Sequence, residues 1–96
     1  MTAPVLPVEM PQLSGGRKRA QALIEPYLGQ MSGRIVRLDC RQLVAGTPSF
    51  ADEIVRLVLD DGGAQLLQVT NVDKTFADDL WTAARNHGAT ERLAVV

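Results

Sequence analysis

The sequence is poor in the residues that announce chemistry. Among its 96 residues there is one cysteine and one histidine, Cys40 and His87. A lone cysteine excludes an internal disulfide and a cysteine-rich zinc site, so nothing points to an oxidising compartment and the cytoplasm is the expected location. A nucleophilic Cys40 would need a basic partner, and only His87 could serve. His87 has no second histidine beside it and precedes Gly88, so it is expected to meet the last carbonyls of a helix. Long apolar runs are missing as well: no stretch approaches 18 residues, and the opening MTAPVLPVEM lacks a basic start and an apolar core. Neither a transmembrane helix nor a signal peptide is expected. Charge of one sign is also lacking. A net charge of −1 and a pI near 5.7 leave no footprint for DNA or RNA.

What is present suits one globular domain. Hydrophobic residues make up 46% of the chain and charged residues 22%. A chain of this length buries roughly 60–65% of its unfolded surface, enough for one core without metal or disulfide support. Residues 1–13 hold Pro4, Pro7 and Pro11 and read as an extended segment or edge strand, with Val5 to Glu9 as the strand. Residues 14–96 form the domain proper. After Ser14-Gly15-Gly16, the spacing of Ala20, Leu23, Ile24, Tyr27 and Leu28 marks one face of a helix, which Pro26 kinks or ends near Glu25.

RIVRLDC, from Arg34 to Cys40, places apolar residues on both faces and reads as a strand covered on both sides. FADEIVRLVLDD, opened by Ser49, is apolar around most of its circumference, as expected of a helix among neighbours, and Gly62 and Gly63 end it. AQLLQVTNV is a further strand, TFADDLWTAARNHG a more polar helix and RLAVV a last strand. Strands separated by helices of about a dozen residues predict an α/β domain with a mostly parallel central sheet of about four strands and three helices.

One phrase occurs twice. PSFADE at 48–53 is echoed by KTFADD at 74–79, and without gaps residues 49–70 and 75–96 also match at Gly62 with Gly88, Leu67 with Leu93 and Val69 with Val95. Both copies read as helix, glycine stop, strand. S-x-x-D at Ser49 and Asp52, and T-x-x-D at Thr75 and Asp78, resemble capping boxes with Ser49 and Thr75 as N-caps. The acidic residues suit the positive end of each helix dipole. A metal site would need the two acidic clusters to converge on one point, whereas neighbouring crossover helices set them side by side, so no metal is expected. Trp81 stands where the first copy has Val55 and is either a core anchor or an interface residue.

The first copy follows a G-T-P loop at a strand's end, where α/β sheets commonly meet ligands and partners. A phosphate on Thr47 or Ser49 would bring nearly two negative charges to a helix N-terminus, with Asp52 and Glu53 opposing it. GGRKR, from Gly15 to Arg19, lacks the spacing of a phosphate loop, although Arg17 or Arg19 could contact a phosphate. No set of acid, base and nucleophile occurs, so neither enzyme activity nor a cofactor is expected.

The run RIVRLDCRQLVAGTPSFADEIVRLVL, with GGRKRAQALIEPYL before it and LLQVTNV after it, resembles the bacterial STAS-like domains of unassigned function. Their hallmark is a strand ending in Asp, a short loop containing threonine or serine, and S-F-A-D-E. They are distantly similar to the STAS domains of anti-sigma-factor antagonists. The resemblance implies a non-catalytic, partner-switching regulator that binds a histidine-kinase-like ATPase acting on serine or threonine. It implies a partner surface of Pro48, Asp52, Glu53 and Arg56, with Ser49 or Thr47 as phosphoacceptor. The usual Asp-Ser-Ser-Gly loop is replaced, and Pro48 stands near the acceptor position. A contrasting reading is a nucleotide- or phosphate-binding module using the same helix N-terminus.

Overall fold

The computed structural model describes residues 5–12 and 15–96. The expectations for residues 1–4, 13 and 14 lie outside the described residues. Four strands, β1 (Val5–Glu9), β2 (Ile35–Asp39), β3 (Leu66–Thr70) and β4 (Leu93–Val95), form one sheet in the order β1-β2-β3-β4, parallel throughout. Helix α1 (Arg17–Ile24) passes at Pro26 into a 3₁₀ segment, Glu25–Gln30, because proline removes the donor that an α-helical turn would use. Helix α2 (Pro48–Val55) continues as a π-helical segment, Arg56–Asp61, and α3 spans Lys74–Asn86. The expected α/β fold is therefore present, and no helix of the described residues is long and apolar enough to cross a membrane.

Sequential strand order with right-handed crossovers sets all three helices on one face of the sheet. Burial agrees: Leu6, Val8, Val36, Leu38, Leu67, Val69 and Leu93 are buried under the helices, whereas Pro7, Glu9 and Arg37, pointing the other way, are exposed. The expectation that β2 is covered on both faces is thus corrected. Ile35 is only half-buried and Arg37 is open to solvent.

Helix α2 packs against both α1 and α3, which explains its apolar circumference: Phe50, Ala51, Ile54, Val55, Leu57, Val58 and Leu59 are all buried. The internal echo has a geometric counterpart. Leu67 pairs with Leu93 and Val69 with Val95, so the offset of 26 positions between the copies is the register of β3 against β4. The two αβ units are therefore neighbours in the sheet and across α2 and α3. Phe50 and Phe76, matched in the echo, meet beneath them with ring centroids 6.1 Å apart.

Candidate functional site

The G-T-P loop enters α2 two residues earlier than the capping-box reading expects. Thr47, not Ser49, is the N-cap: its hydroxyl accepts from the Phe50 N–H at 3.2 Å and donates to the Gly15 carbonyl at 2.9 Å. Pro48 takes the first helical position, where a missing N–H costs nothing. In the second copy Asp73, not Thr75, caps α3 by accepting from the Phe76 N–H at 2.8 Å. Neither Asp52 nor Asp78 turns back to a cap. Gly46 is set by packing, since a Cβ there would lie 2.1 Å from the Phe76 ring.

Downstream of this cap, one charged network ties the helices together. Arg17, at the start of α1, donates to Asp52 at 2.6 Å and to Glu53 at 3.3 Å. Gln21, one turn further along α1, donates to Glu53 at 2.6 Å. Arg56 grips both Glu53 oxygens, at 3.0 and 2.7 Å, and extends to Asp61 at 2.9 Å. This two-pronged geometry is the strong form of an arginine–carboxylate pair. His87, at the end of α3, lies 2.9 Å from Asp52 through Nε2 and 3.4 Å from Asp60 through Nδ1. The His87 backbone N–H does meet a helix-end carbonyl, that of Ala83 at 3.0 Å, while its ring faces two carboxylates of the neighbouring helix.

Glu53 is the buried centre of this network, with its side chain 3% exposed. It is therefore not a partner-facing residue, and that expectation is corrected. Arg56 foremost, with Gln21 and Arg17, overcomes the opposing effect of burial and holds the Glu53 carboxyl down at about 2. Burial pushes the Asp52 carboxyl up, but hydrogen bonds with Arg17 and His87 outweigh it and bring the group below its ordinary value. No buried side-chain nitrogen or oxygen among the described residues is left without a partner. Held as satisfied carboxylates, these groups lock α1, α2 and α3 at fixed spacing.

An open groove of about 250 Å³ runs beside the network, between the first turn of α2 and the outer side of α3. Arg17, Pro48, Ser49 and Asp52 line one side, and Asp79 and Thr82 the other. The structure thus brings Ser49, Pro48, Asp52 and Arg17 together. Arg56 is partly exposed in the adjoining network, while Arg19 is exposed on α1 and does not line the groove. Ser49 is exposed, and its hydroxyl makes no hydrogen bond among the described residues.

Cys40 lies apart from this surface. It is buried, and its thiol is pushed up to about 12 by burial, with Asp39 and Asp73 adding to the effect. His87, the one base available to it, is engaged with Asp52. The described residues contain no group of three side chains able to hold a metal ion.

Two members of the network escape a sequence-only reading. Gln21 had a signal: it falls one helical turn after Arg17, beside the buried Ile24 on the face turned toward the neighbouring helix. The pairing of His87 with Asp52, 35 positions apart, had none. No protein-family model matches the chain, and no curated protein or solved structure is significantly similar to it.

Proposed function

We propose that this chain is a non-catalytic regulatory domain that binds a protein partner through the first turn of α2 and the groove beside it. The observation that carries the reading is the contrast at that turn. Pro48 and Ser49 are exposed, whereas Asp52, Glu53 and Arg17 beside them are engaged with one another or with neighbouring helices. A contact surface on a rigidly held helix start loses little entropy on binding. The resemblance of the SFADE stretch to STAS-like domains supports a histidine-kinase-like ATPase as the partner class.

Ser49 is the better phosphoacceptor of the two candidates. Its hydroxyl is exposed and unengaged, while the Thr47 hydroxyl both caps α2 and holds the Gly15 carbonyl. A phosphate on Ser49 would stand beside Asp52 and Asp79 across the groove, so modification would convert the surface into one that repels an acidic partner. The same two carboxylates disfavour the phosphate-binding reading, even though half-exposed Arg17 borders the groove.

The test is to incubate the full chain with ATP and purified histidine-kinase-like ATPases and to map phosphate by mass spectrometry. Phosphate on Ser49, lost in Ser49→Ala and weakening kinase binding, is the expected result. Absence of both binding and modification would overturn the proposal. Nucleotide alone stabilising the fold by about 2.7 kcal/mol at 100 times its dissociation constant would instead favour the phosphate-binding module.

A further inference from the structure

The helices cover one face of the sheet and no element among the described residues covers the other, although strands of an all-parallel sheet are ordinarily covered on both faces. On that face the register sets half-buried Val5, Ile35 and Leu66 in one row across three strands. Beyond this row lies a broad, shallow groove of about 440 Å³ with both charges on its floor. Asp39 is already held, by the Arg41 N–H at 2.9 Å and the Asn71 amide at 3.1 Å, and Arg41 stands 3.9 Å from it. Two groups lack opposite charges. Arg37 donates only to the neutral Gln68 amide, at 2.7 Å, and no carboxylate among the described residues lies within ion-pair distance of it. Glu9, exposed on the neighbouring strand, has no cation within that distance among the described residues.

We propose that the open sheet face is a two-fold interface whose occupant is a second copy of this chain, with Arg37 of each copy meeting Glu9 of the other. An acidic partner would satisfy Arg37 and repel Glu9, and a basic partner would do the reverse. A surface that carries one unpaired charge of each sign, two residues apart in register on adjacent strands, is complementary to itself under a two-fold rotation. The row of Val5, Ile35 and Leu66 supplies the apolar centre that such an interface buries, and the charges fix its orientation.

The test is the mass of the full chain in solution, by light scattering and sedimentation over a dilution series. The wild type is expected to dimerise. Arg37→Glu and Glu9→Arg are each expected to weaken the dimer at least roughly tenfold, because each sets like charges opposite one another twice. Mixing the two variants in equal amounts is expected to restore a dimer, since both contacts in the mixed pair then join opposite charges. Thermal melts of each variant verify that the fold is kept. A wild type that stays monomeric throughout overturns the proposal and leaves this face to a different partner. A dimer indifferent to both substitutions, or variants that fail to recover on mixing, overturns it as well.

Discussion

Helices α2 and α3 begin on nearly the same letters and meet different surroundings. Asp52 and Glu53 of the first copy are tied to Arg17, Gln21, Arg56 and His87. Their counterparts Asp78 and Asp79 are not: among the described residues Asp78 pairs only with Lys74 on its own helix, at 3.0 Å and largely exposed, and Asp79 faces the groove. The cause is position. Lying between α1 and α3, α2 is flanked on both sides and meets donors from each, whereas α3 packs against α2 alone among the helices and leaves Asp78 in water. Val55 is accordingly buried completely, and the matched Trp81 is only half-buried. A repeated phrase thus opens two helices alike, while neighbours decide which copy's acids are tied into a network.

The sharpest way to break this contrast is to remove the matched acids one at a time. Glu53→Ala is expected to cost roughly 3 kcal/mol, because it strips a buried carboxylate from three donors, and Asp79→Ala less than about 0.5 kcal/mol. Urea titration of both variants checks the pair, and equal losses would refute the contrast. Acid should separate the copies too. The Glu53 carboxyl titrates at about 2 in the fold, below its ordinary value of 4.5. Its stabilisation is therefore complete above about pH 4.5 and is lost as pH falls toward 2, a change of roughly 3 kcal/mol. In Glu53→Gln the stability curve should flatten across that window.

Much of this was legible in the sequence, and the gaps have physical reasons. Val5–Glu9 carries its strand in the pattern of proline and alternation, and the helix read as FADEIVRLVLDD opened by Ser49 ends at Asp61 as the observed helical run, 48–61, does, and differs from it only at its start. The caps were misplaced by two residues because Thr47 and Ser49 are both capping types. Pro48 held the answer, since proline prefers the first helical position. The burial of Glu53 was implied by the apolar residues around it, yet a carboxylate reads as surface until its donors are known. Those donors come from α1 and from Arg56, and only tertiary packing brings Arg17 and Gln21 across.

Next in size are the matched glycines, which are needed for different reasons. A Cβ on Gly62 would lie 2.8 Å from Met31 Sδ and 3.0 Å from the Leu57 carbonyl oxygen, whereas Gly88 has open space but a φ of +64°. Gly62→Ala should cost about 1–3 kcal/mol through overpacking, and Gly88→Ala about 1–2 kcal/mol through backbone strain. Asparagine tells the two apart in thermal melts. It should recover part of the loss at position 88, because it tolerates the left-handed region, and worsen the loss at position 62.

The smallest effects test the caps, where the two copies should behave alike. Thr47→Ala and Asp73→Ala each remove a side-chain acceptor from a phenylalanine N–H and should each cost about 1 kcal/mol. Ser49→Ala and Thr75→Ala, one position before each phenylalanine, should stay within about 0.5 kcal/mol of wild type. Denaturant melts of the four variants decide the matter. A full cap's loss at Ser49 would place the helix start two residues later and leave that hydroxyl engaged. A silent Ser49→Ala leaves the hydroxyl free for modification, so the near-zero result is the one on which the proposed phosphoacceptor depends.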